Sequence, residues 1–275
     1  MIRTENTQNG KPNAAASCLT KMLSTIRMTG FDIRRASFTS MEDTLYVVDH
    51  IKPFNRRGCT RSIVVRGVPG EYTKIPLFQN DNSLLIYRYC EAMFKRNPSK
   101  IKNALVLGGG GGTVPFYLLR ADREIVLDIV ERCPEMIKIS KKYFLHRFIT
   151  GGRVRYDQGN AQDFDPMGKR YGFIFCDLFV RDQVVGFVTE YGFACKIHDM
   201  ITADGLLVIN AGCLSPEMQC KTSGAYTRVF KHVYMLKENQ ACIYICCDAG
   251  LKDISIKDGC YSKLDSLYYK RLIQC

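Results

Sequence analysis

Five consecutive glycines, Gly108–Gly112, separate two apolar runs in the stretch NALVLGGGGGTVPFYLL, residues 103–119. Glycine buries no side chain and loses more backbone freedom on folding than any other residue. A run of them therefore marks a point where the chain turns tightly, or where another group comes within reach of the main chain. Here it sits where an apolar strand, NALVLG (103–108), gives way to a helix over 113–121. That join constrains the fold most, because a glycine turn between a buried strand and a helix is how a ligand-binding βαβ unit begins.

The pattern downstream continues it. Strand-like runs EIVLDIVE (124–131), RVRYDQG (153–159), YGFIFCDLF (171–179) and GLLVINAG (205–212) alternate with helical stretches near 134–146 and 189–202. A helix begins near Pro216, and ACIYICCD (241–248) adds a late strand. Apolar strands spaced by amphipathic helices predict an α/β chain with a mostly parallel, doubly wound, Rossmann-like sheet covered on both faces. Right-handed crossovers then bring consecutive strand ends to one edge. Upstream, TLYVVDHI (44–51), RSIVVRG (61–67) and TKIPLFQ (73–79) are divided by Gly, Pro and Asn, which predicts a small antiparallel β unit. SLLIYRYCEAMFKRNP follows with helical spacing, Leu84, Tyr87, Cys90 or Glu91, and Phe94 near one face and Pro98 as the stop. These textures divide the chain into a flexible tail over 1–20, a β-rich unit plus helix over 21–98, and a Rossmann-like catalytic domain over 99–275.

Composition narrows the function classes. The chain has 275 residues, 46% hydrophobic and 24% charged, which supports a packed core. No apolar run approaches the ~20 residues of a membrane span, and the polar first twenty residues contain no secretory h-region. Thirteen cysteines are scattered and odd in number, with no CxxC pair, so reduced thiols and a cytoplasmic location are expected. His50, His146, His198 and His232 are equally dispersed, and no metal site is expected. The formal net charge of +12 lies in short clusters such as NRRGCTR (55–61) and FKRNPSKIK (94–102), without an RNA-binding or helix-turn-helix signature. Nucleic acid is thus an unfavoured partner, and a small molecule the favoured one.

The order of polar stations along the predicted sheet edge indicates which small molecule. Ligands of doubly wound sheets lie beyond the carboxyl ends of the strands, where strand order reverses. Gly108, Gly109, Gly110 and Gly112 provide the turn there, and Glu131 ends the second strand 23 residues after Gly108. A carboxylate at that place can accept both ribose hydroxyls of a nucleoside; capping the helix at Pro134 is its alternative role. A dinucleotide signature G-x-G-x-x-G fails at its third position, which is Thr113. Asn160, with its neighbour Ala161, follows the third strand, where its carbonyl can accept from an adenine amine or shape an Asx-turn. Asp177 closes the fourth strand, placed to take a proton from a nucleophile or to start a loop. These stations fit S-adenosylmethionine better than a dinucleotide.

The segments VLGGGGGTVPFYLL, IVLDIVERCPEMIKISKKYF, RVRYDQGNAQDF, YGFIFCDLF and ITADGLLVIN together resemble the spermidine synthase-like group of class I S-adenosylmethionine-dependent transferases, over about residues 75–212. The resemblance implies a class I methyltransferase fold, a homodimer, and S-adenosylmethionine or its decarboxylated form as donor. It also implies a sugar contact at Gln79, a ribose contact at Glu131, and a catalytic carboxylate at Asp177 paired with Tyr87. Tyr87 is equally readable as a core aromatic. The chain departs from the aminopropyltransferase pattern at Gly111, Tyr89 and Val180, where that pattern carries acids. With the basic net charge, these changes predict a site poor in carboxylates, and they put methyl transfer to a small amine ahead of aminopropyl transfer. A nucleoside-binding protein without turnover is the non-enzymatic alternative.

Overall fold

The computed structural model describes residues 30–40, 43–67, 71–78, 94, 102–149, 151–180, 183–238, 241–249 and 268–272. The expected tail over 1–20, Gln79, Tyr87 and all of the 83–98 helix except the helical Phe94 lie outside them.

Four strands form the first sheet: β1 (Phe31–Thr39), β2 (Thr44–Ile51), β3 (Thr60–Val65) and β4 (Thr73–Pro76). They pair antiparallel in chain order, as the spacing of apolar runs and turns predicted, with β1 as an additional edge strand. The sequence conceals β1 because FDIRRASFT is polar and mostly exposed. Alternation puts Leu45 and Val47 of β2, Ile63 and Val65 of β3, and Ile75 of β4 on one face. That face shares a continuous core with Val114, Leu118, Ile129 and Leu145 of the larger sheet's layer.

The larger sheet contains β5 (Asn103–Leu107), β6 (Val126–Glu131), β7 (Val154–Gln158), β8 (Tyr171–Cys176), β11 (Ile201–Gly212), β12 (His232–Glu238), β13 (Ala241–Cys247) and β14 (Tyr268–Leu272). Between β8 and β11 lie the two-residue strands β9 (Phe179–Val180) and β10 (Gln183–Val184). The order across the sheet is β14-β12-β13-β11-β8-β5-β6-β7. Strands β11, β8, β5, β6 and β7 run parallel, and the antiparallel β13, β12 and β14 extend one end. Helices α1 (Thr113–Ala121), α2 (Pro134–Ile139), α3 (Tyr191–Met200) and α4 (Pro216–Thr227) supply the connections. A π-helical turn, Ser140–Phe144, continues α2. The chain builds outward through β6 and β7, then returns to place β8 on the other side of β5. Strand order therefore reverses between β5 and β8, where an open α/β sheet binds its ligand.

Two sequence expectations need correction. The predicted strand 171–179 ends at Cys176, and after Asp177 and Leu178 the chain doubles back as the β9–β10 hairpin. The predicted strand 205–212 begins earlier, at Ile201, and absorbs the end of the expected helix 189–202. A register shift between Ile201 and Leu206 admits ADG into the strand without breaking its pairing to β8.

Candidate active site

Beyond β5 the backbone reverses direction through the glycines. Gly108 adopts a φ of +84°, and an added Cβ would lie 2.3 Å from the carbonyl oxygen of Asp177. Only glycine lets the ends of β5 and β8 come that close. The amides of Gly108 and Gly109 donate to Val130 O, that of Gly110 to Glu131 Oε2 at 2.8 Å, and that of Gly111 to Thr73 Oγ1 at 3.0 Å. The Gly112 amide closes the turn on Gly109 O, and Gly112 is the left-handed cap of α1. Each loop amide thus has a protein acceptor. The loop offers a ligand a wall free of Cβ atoms, and it aims a carboxylate.

That carboxylate is Glu131, at the end of β6. Its Oε2 accepts from Gly110 and its Oε1 from the Cys133 amide at 2.9 Å, so both oxygens are held in place with lone pairs to spare. Cys133 precedes Pro134 at the start of α2, which accounts for the capping role considered for Glu131: the acid bonds the helix entry and faces the cavity together. Asn160 lies after β7, with Nδ2 donating to Asp163 Oδ2 at 3.3 Å, and buried Ala161 follows it.

Asp177 occupies the break after β8. Its amide donates to Leu107 O at 2.8 Å, extending the sheet by one rung, and Asn210 Nδ2 donates to its Oδ1 at 2.8 Å. Its Oδ2 has no protein partner among the described residues. Asp177 is half-buried and lines the cavity. Burial drives its pKa up to about 6, a rise that the Asn210 hydrogen bond moderates. An acid so placed is ionised near neutrality and basic enough to take a proton.

These residues enclose a cavity of about 770 Å³. Gly108, Gly109, Gly110, Glu131, Asn160, Ala161 and Asp177 all line it, so the structure unites the expected stations that it describes, except Gly112, which packs beneath against Ser140 and Leu145. Sequence reasoning missed the opposite wall. Leu45, Val65 and Thr73 of the first sheet, with Ser40, Asp43, Glu71 and Tyr72 of its connecting loops, also line the cavity. It missed Asn210 too, although a polar residue in the buried run GLLVINAG was a usable signal. The expected shortage of carboxylates is overturned. Asp43, Glu71, Glu131 and Asp177 line the space against a single base, Arg132, among the described residues. Glu71 is partly neutralised by Lys74 Nζ at 2.7 Å and is hydrogen-bonded to His50 Nε2 at 2.9 Å. A protein of net charge +12 has an acidic interior site.

The reversed strand order, glycine turn and acid at the end of β6 define a Rossmann-like class I methyltransferase fold, with an antiparallel sheet before it. No protein-family model matches the chain. A polyamine aminopropyltransferase of Vibrio vulnificus (strain CMCP6) is 28% identical over 149 residues, 53% of this chain and 48% of that protein. The chain thus spans about half the length of that curated relative. A probable spermidine synthase from Corynebacterium glutamicum ATCC 13032 superposes with a TM-score of 0.69 at 18% identity, over 86% of this chain and 90% of that one. Human methyltransferase-like protein 13, in complex with SAH, gives a TM-score of 0.51 at 19% identity, over 63% and 85% respectively. Its sequence is thus similar to that curated aminopropyltransferase over about half of the chain, and its fold to that of the probable spermidine synthase. Among the described residues, no group of His, Cys, Asp and Glu is placed to hold a metal ion, and no helix is long and apolar enough to cross a membrane.

Proposed function

We propose that this chain is a transferase that moves the aminopropyl group of decarboxylated S-adenosylmethionine to a small amine. The observation that carries the reading is the acidic cavity at the β5–β8 reversal of a basic protein. Donor ammonium, sulfonium and amine acceptor are all cationic, and an acidic, partly desolvated site favours them over the carboxylate-bearing parent donor. The curated relative supports the same choice, so aminopropyl transfer moves ahead of methyl transfer.

A cavity of about 770 Å³ accommodates a nucleoside with its side chain. Glu131 would accept the ribose hydroxyls, the glycine wall would lie under the sugar, and Asn160 with Ala161 would border the base. Gln79 would contact the sugar and Tyr87 would assist Asp177, as the family resemblance implies. The donor supplies a carbon bonded to a sulfonium, whose departure as a neutral thioether needs little help. Asp177 Oδ2 therefore has one main task, to take the acceptor's proton and direct the nitrogen lone pair. Free thiols at all nine described cysteines agree with a cytoplasmic location. The homodimer implied by the resemblance is checked by light scattering of the purified chain.

Incubation of each donor with a panel of amines, putrescine and n-hexylamine among them, followed by mass analysis, tests the function. The expected product carries an added aminopropyl group and forms only with the decarboxylated donor. A methylated amine from the parent donor would restore methyl transfer. Nucleoside binding without turnover on any amine would favour the non-enzymatic alternative.

A further inference from the structure

The cavity wall that follows Asp177 is apolar. Leu178, Phe179, Val180, Val185 and Phe187 all line it. The β9–β10 hairpin holds them there: Val180 pairs with Gln183, Phe179 with Val184, and the Val185 amide donates to Leu178 O at 3.0 Å. The Phe179 ring lies so close over Gly212, at the end of β11, that a Cβ on Gly212 would come within 2.8 Å of it. Val180 remains 45% exposed on this wall, an apolar surface that a bound group would cover.

The carboxylates that line the site among the described residues are already allocated. Glu131 is fixed by the Gly110 and Cys133 amides on the nucleoside side, and Glu71 is bonded to Lys74, Ser62 and His50. Asp177 takes the reacting nitrogen. Asp43 on the opposite wall is left for the donor's ammonium. Among the described residues, a second ammonium on the acceptor would thus run along the hairpin wall without a partner, and desolvating an unpaired charge is strongly unfavourable. Each methylene or aromatic edge laid on that wall instead improves binding by roughly fourfold.

We infer that the acceptor is an amphipathic primary monoamine, with its nitrogen at Asp177 and its aliphatic or aromatic tail against the β9–β10 hairpin. The inference rests on the proposed aminopropyl transfer. The acceptor nitrogen's lone pair forms the new C–N bond as the C–S bond breaks. The C–S electrons stay on sulfur as neutral thioether, and one proton leaves through Asp177 to solvent.

The test measures thioether nucleoside released from the decarboxylated donor with n-hexylamine, phenethylamine and putrescine. A kcat/KM at least tenfold higher for either monoamine is the expected result, and Val180→Asp should narrow or reverse that ratio. Asp43→Asn should raise KM for the donor and leave the monoamine KM in place. A wild-type preference for putrescine overturns the inference and leaves aminopropyl transfer standing, as does a putrescine KM that rises in Asp43→Asn. Release with no amine at all removes the transfer reading and this inference with it. Should Val180→Asp fail to fold, the wild-type ratio alone decides.

Discussion

Asp177 carries two consequences of one fact, its burial. In the folded chain its pKa is raised to about 6, above its ordinary 3.8. As a general base it must be ionised, so kcat/KM should climb as pH rises through about 6 and then level off. Stability moves the other way. The folded state holds this proton more tightly, so the group's stabilising contribution is complete below the unfolded pKa and is lost as pH rises through the folded one. At pH 8 the buried anion is a net cost of roughly 1–3 kcal/mol. Asp177→Asn keeps an acceptor for Asn210 and removes the charge. It should lower turnover by about 10²–10⁴-fold while raising the melting temperature at pH 8, with nucleoside heat retained in calorimetry. An unchanged kcat would remove Asp177 from the reaction. Glu131 is the complementary case, because its charge serves binding. Glu131→Gln should weaken nucleoside affinity by about 10- to 100-fold through the loss of charge-assisted hydrogen bonds. It should do so without moving the pH midpoint, since Asp177 still sets that.

At the scale of elements, the junction of β4 with the glycine loop couples the two sheets. The Gly111 amide bonds Thr73 Oγ1, the Lys74 amide bonds Thr113 Oγ1, and a Cβ on Gly111 would come within 2.3 Å of Ile63 Cδ1. Gly111→Ala must therefore push β3 and β4 away from the loop. The expected cost is about 1–3 kcal/mol of overpacking, seen as a lower denaturant midpoint together with weaker nucleoside binding. Equal stability would mean that the loop and the first sheet are not packed together. This junction also explains what the sequence could reveal. The glycines, Glu131 and Asp177 were legible because each ends a strand that its own apolar pattern announces. Thr73 was not, since it meets its partner across 38 residues and nothing local marks it, and Asn210, 33 residues from Asp177, was marked only by its polarity within a buried run. The acidity of the cavity was hidden for the same reason: Asp43 and Glu71 lie in loops of the first sheet, and tertiary packing alone brings those loops to the site. β1 was concealed by its polarity, and the break after Cys176 by the apolar residues on both sides of Asp177.

For the molecule as a whole, one buried charge ties the first sheet to the larger one. Asp49 is 1% exposed on β2 and accepts from Arg35 Nε at 2.6 Å, Arg61 Nε at 2.6 Å and Arg61 Nη2 at 2.9 Å. Arg61 also donates to Tyr143 O at 2.9 Å, in the π-helical turn that Gly112 packs upon through Ser140. Burial alone would push the Asp49 pKa up, but the two guanidinium groups outweigh it and hold the carboxyl below its ordinary range. Such a group stabilises the fold above its unfolded pKa and loses that contribution as pH falls through the lower, folded value. Arg61→Ala leaves Asp49 buried with Arg35 alone and cuts the link to Tyr143. A loss of about 3 kcal/mol is expected at pH 7, near the lower end for breaking a buried pair because one arginine remains. The gap to the wild type should shrink below about pH 4, as pH falls toward the lowered range in which the wild-type Asp49 carboxylate is itself protonated. Since β4 and the segment around Tyr72 form one wall of the cavity, nucleoside affinity should fall together with stability in this variant. A variant that lost stability by the same amount at every pH, with nucleoside binding intact, would show that the first sheet is held by apolar packing alone and that the cavity does not depend on its position.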